Sequence, residues 1–217
     1  MYWARKVCRI HSILPIENIV FMGMGEPADN ADAVVQAAQM LVNRQLFELS
    51  AKRVIISTVA PTPQAFANLC RAPVTLAWSV HASNDALRKQ LVPTTRYSMI
   101  ELRDGLMDAL QDRSRSLKST MLEVALMDRV NDNPEDALHL AEFCQPIQER
   151  VKLVVNLIPW NSVGDLPFGY RPPEPERVAA FQKVLTDNGV RCYIRTTRGD
   201  DGKAACGQLA TSRKAKP

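Results

Sequence analysis

What most constrains the fold of this chain is an alternation: short apolar, β-rich runs and amphipathic helical stretches follow one another, with a few turn residues between each pair. Brief apolar runs between turn signals read as strands, and apolar residues three and four apart read as one face of a helix. A strand, a helix and another strand in succession bring consecutive strands together in parallel. The spacing predicts strands at Asn18–Gly23, Arg53–Thr58, Val74–Val80, Thr120–Met127, Lys152–Ile158 and Val190–Thr196. Helices are expected at Tyr2–His11, Asp32–Arg44, Pro63–Cys70, Asn84–Leu91, Ser98–Asp112, Pro134–Cys144 and Pro175–Asn188. Ser98 with Glu101 three residues on reads as a capping box, and Gly189 as a helix stop. The last strand alternates Val190, Cys192 and Ile194 against Arg191, Tyr193 and Arg195, one face buried and one polar. The fold class is α/β, about six strands in a (β/α) barrel or an open wound sheet.

A chain of 217 residues, 46% of them hydrophobic, can bury the core of one substantial domain without covalent staples. The five cysteines, Cys8, Cys70, Cys144, Cys192 and Cys206, are odd in number and widely spaced, which fits neither a disulfide framework nor a zinc site. No metal ligands are assigned. No apolar run reaches the roughly 18 residues of a membrane helix, and Met1-Tyr2-Trp3-Ala4-Arg5-Lys6 lacks the apolar stretch of a signal peptide. A soluble, cytoplasmic protein without a membrane partner is expected, organellar if the source is a eukaryote. The net charge of +4 tilts the chain modestly toward polyanions, and Arg213, Lys214 and Lys216 make the 207–217 end a short basic tail.

In parallel α/β proteins the loops leaving the C-terminal strand ends converge on one rim, where ligands bind. The polar residues gather there: Glu26, Ser57 and Thr58, Ser79 and His81, Asp128, Asn156 and Asn161, and the run from Arg195 to Asp201. Each residue type also serves as a loop cap; the coincidence of six ends points to a site. Met22-Gly23-Met24-Gly25-Glu26-Pro27 sets two glycines and an acid directly after a strand, so that backbone can approach a ligand while a carboxylate suits an ammonium. It lacks the Gly-Lys-Ser/Thr ending of a phosphate loop.

Cys206 stands apart from the other thiols. Cys70 and Cys144 fall on helices and Cys192 on the buried face of a strand, as core thiols do. Cys206 follows the polar run Arg198-Gly199-Asp200-Asp201-Gly202-Lys203 and lies between Ala205 and Gly207, where a substrate could reach it. Arg195, Arg198 and Lys203 favour a thiolate there; Asp200 and Asp201 oppose it.

Val20 to Pro27, Ser57-Thr58, Ser79-Val80-His81-Ala82, Asn156 to Asn161, Thr197 to Asp201 and Ala204 to Leu209 together resemble, in order and approximate spacing, the RlmN/Cfr family of radical-SAM rRNA adenine methylases. The resemblance covers nearly the whole chain and implies a partial (β/α) barrel holding S-adenosylmethionine (SAM) and a [4Fe-4S] cluster. By it, Gly25 and Glu26 hold the amino group of SAM, and Ser57, Ser79, Val80, His81 and Asn161 complete the pocket. It makes Cys206 the catalytic methyl carrier: its thiolate takes a methyl by displacement, a 5′-deoxyadenosyl radical made at the cluster removes hydrogen from that methyl, and the methylene radical adds to the base. The implied target is an adenine carbon, carbon 2 first, in large-subunit rRNA, with tRNA as a second candidate substrate and an electron donor for the cluster.

The chain departs from the family pattern in three places. The motif Cys-x-x-x-Cys-x-x-Cys, which in the family precedes the helix that Tyr2-Trp3-Ala4-Arg5-Lys6 resembles, is not in this sequence. The expectation is therefore an incomplete radical-SAM core over 1–217, missing the first strand and the cluster loop and inactive as an isolated chain. Ser57-Thr58-Val59-Ala60 lacks the family's usual glycine, and Val80 replaces a leucine. A degenerate SAM- or RNA-binding protein without radical chemistry is the alternative.

Overall fold

The computed structural model describes residues 1–23, 25–161 and 169–195 and places all six expected strands in one sheet. The strands β1 (Ile19–Phe21), β2 (Val54–Thr58), β3 (Thr75–Ser79), β4 (Ser119–Leu126), β5 (Lys152–Pro159) and β6 (Cys192–Ile194) lie in sequence order. Every neighbouring pair is parallel. Helix α1 (Tyr2–Ile10) precedes the sheet; α2 (Ala31–Val42), α3 (Pro63–Cys70), α4 (Asp85–Leu91), α5 (Met99–Gln111), α6 (Pro134–Arg150) and α7 (Pro175–Asp187) fill the crossovers. A doubly wound sheet reverses its strand order at a switch point, whereas strands in unbroken sequence order with crossovers of one hand put all their helices on one face. That order settles the two architectures in favour of a partial (β/α) barrel.

The helix-facing side of the sheet is the core. Val54, Ile56, Leu76, Trp78, Leu122, Val124, Leu126, Val155 and Leu157 are buried there, with Phe66 and Leu69 of α3, Leu102, Leu106 and Leu110 of α5, Ile147 of α6, and Phe181 and Leu185 of α7 in the same cluster. The Trp78 ring meets Phe66 edge-on at 5.3 Å and Phe143 at 5.8 Å. Gly105 on α5 lets that helix pass close to the start of α3, since a Cβ there would fall 2.6 Å from Pro63 Cβ.

Most boundaries match the sequence to within one or two residues, including the capping box of Ser98 and Glu101 and a left-handed Gly189 at φ +77°. Three differ. A short 3-10 turn, Pro27–Asn30, leads into α2. The last strand is confined to Cys192–Ile194, and its expected end at Thr196 lies outside the described residues. Helix α6 does not end at Cys144 but runs through Pro146 to Arg150. Proline removes one helical N–H and crowds the carbonyl four residues back. Here that carbonyl belongs to Glu142, an exposed residue, while Phe143, Cys144 and Ile147 bury the opposite face of the same turns. Packing holds the helix where local propensity would end it.

Candidate functional site

The C-terminal ends of β1, β2 and β3 are tied together by two charges, the half-buried Glu26 and the buried Arg88. After β1 the chain turns through Gly23 at φ +125° and Gly25 at φ +78°, and an added Cβ at either would meet nothing within 4 Å. Glu26 then caps the 3-10 turn: its Oε1 accepts the Ala28 N–H at 2.9 Å and the Thr58 hydroxyl, and its Oε2 accepts the Val59 N–H at 2.9 Å. From the other side Arg88, on α4 and 1% exposed, donates to the Ser79 carbonyl at 2.7 Å, the Val80 carbonyl at 2.5 Å and the Val59 carbonyl. The Val59 backbone is thus held at its N–H by Glu26 and at its C=O by Arg88. Burial lowers the Arg88 pKa to about 10, with the Glu26 charge opposing, so the guanidinium stays cationic at neutral pH.

The loop after β2 has no glycine. Ala60 is fully buried and adopts φ +55°, a left-handed conformation that glycine takes at less cost. His81 has φ +59°; its Nδ1 accepts the Ala125 N–H at 3.1 Å and its carbonyl accepts the Asn131 amide at 2.8 Å. Burial pushes its pKa down to about 3, so the imidazole is neutral and bridges β3 to β4. Val80 is buried and donates its N–H to the Glu123 carbonyl at 2.9 Å. Asn131 and Asp132, which the sequence reading did not single out, brace this corner: Asn131 also bonds the Ala125 carbonyl and the Met127 N–H, and the buried Asp132 takes Arg177 through Nε at 2.6 Å and Nη2 at 2.7 Å.

The sheet face away from the helices carries the polar lumen. Ser57 and Ser79 hydroxyls lie 3.1 Å apart, and Ser57 Oγ is 3.3 Å from Glu123 Oε2. Glu123 stands in register with Ser79 on one side and Asn156 on the other. Arg195, just past β6, places Nη1 at 3.7 Å from Glu123 Oε1 and at 3.8 Å from Met22 Sδ. Burial pushes the Glu123 carboxyl above its ordinary range, opposed by the Arg195 charge and by hydrogen bonds from Ser57 and Asn156. Sequence reasoning missed Glu123. The signal was present, an acid inside the apolar run Thr120–Met127, at a lumen-facing position of the alternation.

The structure brings Gly25, Glu26, Ser57, Ser79, Val80 and His81 to one end of the sheet. Asn161 follows β5 at the same end, beside Trp160, whose ring packs edge-on against Tyr170 at 5.8 Å. Cys206 and the 207–217 tail lie outside the described residues. Of the other thiols, Cys144 and Cys192 are buried, and burial raises each to about 12, whereas Cys8 and Cys70 are only half-buried. No described helix is long and apolar enough to cross a membrane.

Over 198 residues the chain is 41% identical to the dual-specificity RNA methyltransferase RlmN of Marinomonas sp. (strain MWYL1), a match covering 89% of this chain and 51% of that one. Relatives about 40% identical over about 90% of this chain are thus RlmN methyltransferases. The RlmN of Stenotrophomonas maltophilia (strain K279a) is 40% identical over 207 residues, 92% of this chain and 50% of its own length. The chain thus spans about half the length of the curated RlmN relatives it matches. Among solved structures, a radical SAM methyltransferase from Sphaerobacter thermophilus superposes with a TM-score of 0.83 at 33% identity, over 95% of this chain and 58% of that one. A domain of a pyruvate-formate lyase-activating enzyme from Bacteroides vulgatus ATCC 8482 shares the fold, with a TM-score of 0.63 at 14% identity over 83% of this chain and 100% of that one. No protein-family model matches the chain.

Proposed function

We propose that this chain forms the SAM-binding part of an RlmN-type RNA methyltransferase, with Cys206 as its methyl carrier and an adenine carbon of large-subunit rRNA as its target. The observation that carries the reading is the shared rim: the backbone-open glycine loop of Gly23 and Gly25, the Ser57 and Ser79 hydroxyls, and Asn161 all belong to one end of a sheet whose RlmN relatives are about 40% identical.

SAM fits the residues present. Gly23 and Gly25 leave room for a ligand to lie against backbone, and the lumen offers hydroxyl, amide and carboxylate groups to a polar nucleoside. Glu26 has three of its acceptor positions filled by Ala28, Thr58 and Val59, so it acts on the ligand mainly by fixing the Gly25 loop and has one position left for an ammonium. A cluster does not fit. Among the described residues no three His, Cys, Asp or Glu side chains group as metal ligands, and the sequence has no Cys-x-x-x-Cys-x-x-Cys, so no step through a cluster is derived for this chain.

Within that reading, Gly25, Ser57, Ser79, Val80, His81 and Asn161 bind and orient SAM, and Arg88 and Glu26 hold the rim in shape. The Cys206 thiolate then displaces the methyl from the sulfonium: a sulfur–methyl bond forms on Cys206 as the old one breaks, and S-adenosylhomocysteine leaves. Adenine needs this detour because its carbon 2, between two ring nitrogens, is too electron-poor to attack a sulfonium itself. RNA, with tRNA as a second substrate, is the partner, and the positive charge of the chain favours it.

Calorimetric titration of the purified chain with SAM tests the reading. Saturable binding at a single site is expected, lost in Gly25→Val, because a β-branched residue cannot adopt φ +78° and its side chain would fill the open space. A wild-type chain that takes up no SAM, or a Gly25→Val chain that binds it as well, would overturn the assignment.

A further inference from the structure

We propose that Glu123 is a ligand-binding residue whose carboxylate accepts hydrogen bonds from the ribose diol of a nucleoside in the lumen; on the reading above, which this inference rests on and extends, that nucleoside is SAM.

Glu123 is 3% exposed, at the centre of β4, between Ser79 on β3 and Asn156 on β5. A buried carboxylate is costly unless its lone pairs are filled by donors at close range. Ser57 Oγ at 3.3 Å and Arg195 Nη1 at 3.7 Å are loosely placed, and the Asn156 amide is a further hydrogen-bond donor. Glu26, some strands away on the same rim, shows the contrast, with backbone N–H groups at 2.9 Å on each oxygen. Glu123 therefore keeps acceptor capacity that the described residues do not use.

The surroundings select what fills it. A phosphate or carboxylate would meet a like charge. An ammonium would find the charge already balanced, and would stand close to the Arg195 guanidinium. Neutral hydroxyls meet neither objection. A vicinal diol offers two O–H donors to a carboxylate, and its oxygens accept in turn; the Ser57 proton goes to Glu123, while the Ser79 hydroxyl, 3.1 Å from Ser57 Oγ, is a donor within the same lumen. Among the parts of SAM, the ribose alone carries such a diol.

The test titrates the whole chain with SAM, with its 2′,3′-dideoxy counterpart and with adenosine, using wild type, Glu123→Gln and Glu123→Asp. In Glu123→Gln, SAM affinity is expected to fall about tenfold, the loss of a charge-assisted hydrogen bond. The dideoxy counterpart should bind wild type and Glu123→Gln alike. Glu123→Asp, which keeps the charge but withdraws it by one methylene, should lose the preference for SAM over the dideoxy counterpart and covers the case in which the glutamine variant does not fold. Equal SAM affinity in wild type and Glu123→Gln overturns the inference while leaving SAM binding standing. So does an equal loss of SAM and the dideoxy counterpart, which marks a structural effect. A wild-type chain that binds neither SAM nor adenosine overturns both readings.

Discussion

At the scale of single residues, two buried charges organise the rim in opposite ways. Arg88 is held by backbone through its two Nη groups, which reach Val59, Ser79 and Val80, and its removal leaves three carbonyls without their donor. Arg88→Met is expected to cost about 3 kcal/mol of stability, measured by urea unfolding, from unpaired buried polar groups and the stranded charge of Glu26. Glu123 is under-filled, and burial raises its pKa in the folded state. The sign follows directly. Just above the ordinary carboxylate range the folded chain holds a proton that the unfolded chain has released, so stability falls as pH rises through the folded pKa. Glu123→Gln cannot ionise and should lack this loss. The difference in melting temperature between variant and wild type should therefore shift in favour of the variant as pH rises from the ordinary carboxylate range to neutrality. A difference independent of pH would contradict the raised pKa. Glu26 also gains a second role in the structure: a carboxylate that reads in the sequence as an ammonium ligand is also a loop cap, because at the neighbouring strand end Thr58 and Val59 turn their donors toward it.

At the scale of elements, close approach between helices is the sensitive quantity. Gly105 lies in the middle of α5, where alanine would normally gain about 1 kcal/mol of helix propensity. Its absent Cβ is what lets α5 pass Pro63, and the nearest atoms, Pro63 Cβ at 2.6 Å and Cα at 3.0 Å, belong to a rigid ring and the backbone. Gly105→Ala is expected to destabilise by about 1–3 kcal/mol despite that propensity, read as a lower urea midpoint at unchanged slope. A stabilised variant would mean that the two helices can move apart freely. Helix α6 makes the complementary point: Pro146 marks a boundary in sequence, yet buried Ile147 beyond it keeps the helix against the sheet to Arg150.

At the scale of the whole molecule, the thiols bear on what the chain can hold. Cys8 is on α1, Cys70 on α3, Cys144 on α6 and Cys192 on β6, and burial keeps Cys144 and Cys192 protonated at neutral pH. Cluster ligation needs thiolates gathered in one place. The chain alone, reconstituted anaerobically with iron and sulfide, is therefore expected to carry no stoichiometric [4Fe-4S] cluster, which iron analysis and visible absorption would show. Iron bound in stoichiometric amount with cluster absorption would disprove this.

The sequence by itself determined the elements and their class. The period of the apolar residues, the Ser98–Glu101 cap and the stop at Gly189 are local, and local propensity and burial agree on them. It also determined the motifs at the strand ends, since Gly25-Glu26, Ser57, Ser79-Val80-His81 and Asn161 are contiguous with the runs that carry them. Only the tertiary structure decided between a barrel-type and a wound sheet, because strand order depends on which edges pair across crossovers of many residues. It alone showed Arg88 and Glu123. Arg88 reads in the sequence as one more charge on a short helix, and Glu123 as a break in an apolar strand. Each acquires its role from atoms contributed by strands and loops distant in the chain, and burial, not sequence spacing, makes their charges count.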